Sequence, residues 1–467
     1  MDAARLEPLI GKERMERFEQ AADAARKTLA GGSVLNVNST GAGGGVAEML
    51  QTLLSYARGA GIDARWLVIE GDPTFFAITK RIHNGLYGSP GDGGELGAAE
   101  QRHFEEIQQR NAEELRVVIR PGDVVVVHDP QPAGLVAAAQ SAGARVIWRC
   151  HVGLDRPNEW SERSWEFLRP YLTDADAIVT SRAAFAPPWA DPAQVHVIPP
   201  SIDPFSAKNE PLSIEDARST LSYVGLLDPV TETAPAVPFT RRDGSTGCIG
   251  RRADVVQTGP PTPAVPLVVQ ISRWDRMKDM AGVMQGFVRH VDPSLGAHLL
   301  LCGPAVSGVV DDPEAAAVLE ECTGLWRDLP PAARSRVHLA CIPMDDPDEN
   351  AAIVNAIQRH ASVIVQKSLA EGFGLTVSEA MWKRRPVVAS AVGGIVDQIE
   401  DGTHGLLVED PFDLQGFGAK VESLLEDPAE AAELAENAQR RVTDEFLGDR
   451  HLEQYGLLFE QLRRNTS

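Results

Sequence analysis

The chain has 467 residues, more than one ordinary hydrophobic core organises, so two domains are expected. Hydrophobic residues make up 43% and charged residues 24%, a globular composition rather than a disordered one. The net charge of −22 excludes long-range attraction to nucleic acid or to an anionic membrane, so any phosphate must be held by a local cationic pocket.

The opening stretch, MDAARLEPLIGKERMERFEQ, is charged throughout and has no apolar targeting core. No run approaches the ~18 apolar residues of a membrane span. The five Cys (150, 248, 302, 322 and 341) are odd in number, form no C-x-x-C and stand beside no His cluster. Neither a disulfide framework nor a structural zinc site fits them, and reduced thiols in a cytoplasmic protein are expected.

Residues 12–30 alternate charged and small residues and predict a surface helix. SVLNVNST (33–40) predicts a strand, followed by the glycine turn GAGGG (41–45). Val46, Met49, Leu50, Leu53, Leu54 and Ala57 then form one apolar stripe at helical spacing, and ARWLVIEG (64–71) predicts the next strand. Further apolar runs at 124–128, 145–150, 177–181 and 195–200, spaced by helical segments, suggest a parallel sheet covered on both faces. Pro199, Pro200 and Pro204 mark a hinge region. Residues 226–266 are rich in Pro, Gly and Thr, lack periodicity and read as an inserted surface loop. Strand and helix patterns then alternate again, with strands expected at 266–272, 297–303, 336–341, 362–366, 386–390 and 405–409, and a closing helix from about 443. Two doubly wound α/β domains follow from this pattern: 1–201, then 202–442 with the insertion, with 443–467 packing back on the first.

Four groups of residues carry candidate chemistry. The glycine turn lets backbone N–H groups approach an anion at a helix start, but equally serves as a tight turn. It lacks the G-K-[ST] of a P-loop and the third glycine of the dinucleotide fingerprint, although Glu70 at the end of the next strand suits a ribose. Arg273 and Lys278 follow a strand, where they suit a diphosphate; read alone they fit solvated surface charges as well. Glu371 and Glu379, in EGFGLTVSEAMWKRRP, form the strongest group. The helix is expected to begin near Leu375 and stop before Pro386, so Glu371 sits in the turn, Glu379 about one turn into the helix, and the amides of Gly374, Leu375 and Thr376 form an anion site between them. Carboxylates suit sugar and ribose hydroxyls. Asp129 and His151 each follow a strand, in VVVVHD and RVIWRCH, and reach the same sheet edge; His128 reads as structural, and His83 and Asn84 are looser acceptor-site candidates.

With these residues assembled, the chain resembles the retaining glycosyltransferases of family 4, through E-x7-E (Glu371, Glu379) and the upstream R-x4-K pair (Arg273, Lys278). HDPQP, RCH and F-F-x-x-T-K-x-x-H-N narrow the resemblance to the trehalose glycosyltransferring synthases, and VNSTGAGGGVAEML and RCHVGLD match as well, across residues 34–410. The resemblance implies a GT-B fold, with two Rossmann-like doubly wound domains facing across a cleft. It implies reversible formation of α,α-trehalose from glucose and a nucleoside-diphosphate glucose (ADP-, UDP- or GDP-glucose), with retention; since the sequence offers no metal-ligand cluster, no essential divalent metal is expected. It further implies a homodimer. By the same resemblance Arg273 and Lys278 hold the donor diphosphate, Glu379 the ribose and Glu371 the glucose hydroxyls, with Gly44 and Gly45 close to the donor. Asp129 and His151 line the sugar sites. Alternatives are a trehalose phosphorylase, another family 4 hexosyltransferase, an NAD-dependent oxidoreductase suggested by the glycine turn, and a non-catalytic sugar-nucleotide-binding protein.

Overall fold

The computed structural model describes residues 3–41, 44–228, 237–306 and 313–464. Ala42 and Gly43 of the glycine turn, and 229–236 of the expected insertion, lie outside the described residues. The chain divides into two compact units. The first comprises Met1–Ile202, Glu371–Leu375 and Thr443–Ser467; the second comprises Asp203–Ala370 and Thr376–Val442.

The first unit is built on a six-stranded parallel sheet: β1 (Val34–Asn38), β2 (Ala64–Val68), β3 (Val124–His128), β4 (Arg145–Cys150), β5 (Ala177–Thr180) and β6 (Val195–Val197). The order is β2-β1-β3-β4-β5-β6. The unbroken valines of β3 are explained by alternation. Val125 and Val127 enter one core with Phe75, Phe104 and Trp148, while Val124 and Val126 enter another with Ala25, Phe459 and Leu462. Burying both faces is what excludes polar residues from such a strand, each buried side chain contributing about 1.5–3 kcal/mol. The second core is closed by two helices from opposite ends of the sequence, Lys12–Leu29 and Gly448–Arg464, which pack against each other.

The second unit carries a seven-stranded sheet. β10 (Leu267–Ile271), β11 (His298–Pro304), β12 (Val337–Ile342), β13 (Val363–Gln366), β14 (Val387–Ser390) and β15 (Leu406–Val408) are parallel; β9 (Asp254–Val256) is an antiparallel edge strand on β12. The order is β15-β14-β13-β10-β11-β12-β9. The region 226–266 is therefore not a plain surface loop. Besides β9 it contains a hairpin, β7 (Pro238–Thr240) and β8 (Thr246–Cys248). Gly244, at φ 83°, turns the hairpin after Asp243. Arg241 pairs with Asp346 at 2.6 Å and Arg242 with Asp348 at 2.7 Å, fixing it to the start of the helix Pro347–His360. Strands of three residues are too short to show a period-2 pattern, and the acidic residues that hold the hairpin lie about a hundred residues away in the chain.

In both sheets the strand order reverses at one place. The chain winds outward from β1 to β2 but starts again from β3 on the other side; it winds from β10 to β12 but starts again from β13. Loops leaving neighbouring strands at such a point diverge and leave a crevice beyond the carboxyl ends, where open α/β sheets bind ligands.

Candidate active site

At the reversal point of the first unit, β1 leads into the glycine turn and β3 into Asp129. The helix Gly44–Gly59 begins on the last glycines of that turn. A Cβ added to Gly45 would lie 3.3 Å from Leu375 Cδ1, so the start of this helix stands against the residue that opens the helix Leu375–Trp382. Asp129 follows β3 in the left-handed region at φ 64°, a conformation that non-glycine residues rarely adopt and that Asp tolerates better than most. The corner is over-determined. Asp129 N–H donates to the Arg149 carbonyl at 2.8 Å, its carbonyl accepts from Trp148 Nε1 at 3.0 Å, and its Oδ1 accepts from the His151 N–H at 2.8 Å. Burial raises the Asp129 carboxyl to about 7, against the opposing pull of the His151 amide and the Arg149 charge.

His151 follows β4 and its Nε2 lies 3.1 Å from His128 Nδ1 and 3.2 Å from Arg149 Nε. His128 is also 2.9 Å from Asn36 Oδ1, on β1. Burial and then the Arg149 charge push His128 down to about 3 and His151 well below the usual histidine range, so both rings are neutral at pH 7. His83, in the helix Pro73–Leu86, stacks edge-on against Tyr87 at 5.1 Å between ring centroids. Asn84 instead lies against the turn at Gly91, where an added Cβ would meet its Nδ2 at 3.1 Å.

Glu371 and Gly372 come with the first unit although the strand before them belongs to the second. Gly372 has a clear reason to be glycine: an added Cβ would lie 2.4 Å from the His151 carbonyl oxygen and 2.9 Å from Tyr87 Oη. Gly374, at φ 86°, turns the chain into the helix Leu375–Trp382, leaving the first amides of that helix without intrahelical acceptors. Glu371 is buried, and Glu379 is buried on the same helix as Leu375 and Thr376.

In the second unit, Arg273 and Lys278 follow β10, and β13 is the neighbour of β10 at the reversal point. The two exit loops are stitched together. Lys367 N–H donates to Gln270 Oε1 at 3.1 Å, Leu369 N–H donates to the Met277 carbonyl at 2.7 Å, and the buried Lys367 ammonium pairs with Asp279. Lys278 is thus next in sequence to a residue bonded to Leu369, itself two residues before Glu371. Arg273 is half exposed and pairs with Asp275 at 3.2 Å, while Asp275 also caps the turn Arg276–Lys278 by accepting from Met277 N–H at 2.8 Å. Glu379 lies 3.5 Å from the Lys208 ammonium. One turn later Lys383 is wholly buried, its Nζ donating to Asn209 Oδ1 and Gln358 Oε1 at 2.7 Å each and to the Glu379 carbonyl at 3.2 Å.

Sequence reasoning missed Lys208, Asn209, Tyr87 and the anchoring roles of Arg149 and Lys367. Lys383 was missed as well, although its place four residues after Glu379 is a signal that could have found it. Lys208 and Asn209 lie in irregular chain and had no such signal. Among the described residues no group of three or more His, Cys, Asp or Glu side chains suits a metal ion, and no helix is long and apolar enough to cross a membrane. The five cysteines are free, and Cys248 alone of them is exposed.

Two parallel-sheet Rossmann-like units, with cations, carboxylates and helix-start amides at the strand reversal points, define a nucleotide-sugar glycosyltransferase of the GT-B type. A family model described as trehalose synthase, N-terminal domain, matches residues 36–187, and one for glycosyl transferases group 1 matches residues 347–441. The trehalose synthase of Thermococcus litoralis is 35% identical over 452 residues, covering 96% of this chain and 94% of its own. That of Rubrobacter xylanophilus is 35% identical over 446 residues, covering 93% and 91%. A trehalose phosphorylase of Pleurotus pulmonarius is 25% identical over 435 residues, covering 87% of this chain and 54% of its own. Among solved structures, the sucrose-phosphate synthase of Thermosynechococcus elongatus matches with a TM-score of 0.65 at 20% identity, over 93% of this chain and all of that one, which shows the fold. The chain belongs to the trehalose synthase family of glycosyltransferases.

Proposed function

We propose that the protein transfers glucose from a nucleoside-diphosphate glucose to free glucose with retention, forming α,α-trehalose and the nucleoside diphosphate, reversibly. The observation that carries this reading is the pairing of the β10 and β13 exit loops, which puts Arg273 and Lys278 on the same sheet edge as the chain entering Glu371. Residues 1–201 serve the acceptor, residues 202–442 the donor, and 443–467 return to the first domain. Arg273 and Lys278 hold the diphosphate, and the amides of Gly374, Leu375 and Thr376 take up charge on the departing phosphate, a type of stabilisation that costs about 3–4 kcal/mol per donor removed. Glu379, held beside Lys208, accepts from the ribose hydroxyls; Glu371 accepts from the glucose hydroxyls; Gly44 and Gly45 let the donor approach the helix start. Asp129, His151, His83 and Asn84 line the sugar sites.

The acceptor hydroxyl attacks C1 from the side of the leaving group and passes its proton to a phosphate oxygen, so the C1–O bond to phosphate breaks as the new glycosidic bond forms on the same face. No nucleophile of the protein is needed. Incubation with ADP-, UDP- or GDP-glucose and a panel of sugars, with products identified by mass and anomeric configuration, tests the reading; absence of trehalose from every donor refutes it. Breakdown of trehalose driven by a nucleoside diphosphate, and not by inorganic phosphate, separates it from a phosphorylase. Exhaustive chelation is expected to leave turnover intact. Sedimentation is expected to show a homodimer.

A further inference from the structure

Arg149 is fully buried, and among the described residues no carboxylate stands within ion-pair distance of it. Its guanidinium donates instead to neutral groups: Nη1 to Tyr455 Oη at 2.9 Å, Nη2 to the Ile198 carbonyl at 3.0 Å, and Nε to His151 Nε2 at 3.2 Å. A guanidinium has donors only and does not lose its proton in a protein. His151 Nε2 must therefore present its lone pair, and the ring proton of neutral His151 lies on Nδ1. The same nitrogen is 3.1 Å from His128 Nδ1, and the other ring nitrogen of His128 lies 2.9 Å from Asn36 Oδ1.

We propose that Arg149 is a positioning residue that locks His151 in its neutral Nδ1–H tautomer, so that His151 serves the sugar site as a fixed hydrogen-bond donor and never as a proton carrier. A proton added at Nε2 would face the guanidinium, and the positive charge behind the ring polarises Nδ1–H towards an electron-rich oxygen. Tyr455, on the helix Gly448–Arg464, holds the guanidinium from behind, with its ring 5.7 Å from the Arg149 Cζ. The ionisable groups acting on His151 are His128 and Asp129 at the end of β3, Arg149 on its own strand and His451 on the C-terminal helix, with Tyr455 bonded to Arg149. This inference rests on the assignment of His151 to the sugar site for its consequence, and on geometry alone for the tautomer.

The test has two arms. Nitrogen-15 NMR of histidine-labelled wild-type enzyme without substrates, the His151 signals assigned by their loss in His151→Asn, is expected to show Nδ1 protonated and Nε2 bare from pH 6 to pH 8. An Nε2–H tautomer or an imidazolium in that range overturns the proposal. In the second arm, His151→Asn, whose amide nitrogen replaces Nδ1–H, is expected to keep kcat within about tenfold, whereas His151→Leu loses about 100-fold, the cost of one missing donor. Arg149→Met is expected to let the Nε2–H tautomer of His151 appear in the same NMR measurement, with the ring still neutral because burial remains; an unchanged Nδ1–H tautomer in that variant counts against the proposal. Should the tautomer be as stated while His151→Leu turns over normally, the tautomer stands and the sugar-site assignment of His151 fails.

Discussion

Replacing Gly372 by alanine adds one carbon in a place already filled. That Cβ would lie 2.4 Å from the His151 carbonyl oxygen and 2.9 Å from Tyr87 Oη. An ordinary carbon–oxygen contact is about 3.3 Å or more, so a separation of roughly 1 Å has to be regained. The nearer atom belongs to the backbone of a strand end that is pinned by Asp129, so the turn Glu371–Leu375 is the part that yields. A displacement of about 1 Å in a group that positions substrate costs about 100-fold in rate, or roughly 2.7 kcal/mol of transition-state stabilisation. The fold itself should lose only about 1–3 kcal/mol, the usual cost of overpacking. Initial rates of trehalose synthesis and breakdown, measured beside urea unfolding, separate the two effects. Gly324→Ala is the control, because an added Cβ there meets nothing within 4 Å; it should leave kcat unchanged. A Gly372→Ala enzyme with kcat within threefold of wild type would refute the reasoning, since it would mean that the turn does not need its place.

Arg273→Ala and Lys278→Ala are each expected to lower kcat by about 100- to 1,000-fold, as steady-state kinetics with saturating donor will show; near-normal turnover in both removes the diphosphate site. Asp129→Asn addresses the carboxyl that burial raises to about 7 from the ordinary 3.8. A carboxyl raised by folding contributes stability that is full below about pH 4 and is lost as pH rises to about 7, so the wild type should lose about 3 kcal/mol relative to Asp129→Asn between pH 4.5 and pH 8. Asn tolerates the same left-handed backbone, so urea titrations at the two pH values report the charge; a constant difference defeats the prediction. Lys383→Met leaves Asn209 Oδ1 and Gln358 Oε1 without the buried donor they share, and a loss of about 3 kcal/mol in urea unfolding is expected, net of the relieved cost of burying the charge.

The alternation of Val-rich runs with amphipathic stretches was enough to specify two parallel sheets, because a strand buried on both faces admits little else and its partner need not be known. The start of the helix Leu375–Trp382 was equally legible, since Gly374 and the apolar run after it act locally. Arg273, Lys278, Glu371 and Glu379 could be singled out as candidates because their spacing is carried within two short segments. Other features have no local signature. The β7–β8 hairpin within 226–266 is held by Arg241 and Arg242 against Asp346 and Asp348, ion pairs that close over a long stretch of chain. Lys208 finds Glu379, and Lys383 finds Asn209, across more than 170 residues. Arg149 looked like one more residue of a strand, and only the packing of the C-terminal helix gave it Tyr455 as a neighbour. Periodicity and turn chemistry are properties of neighbouring residues and are written in order along the chain. The protonation of a histidine and the partner of a buried cation depend on the electrostatics of atoms brought together by folding, and these the tertiary structure alone decided.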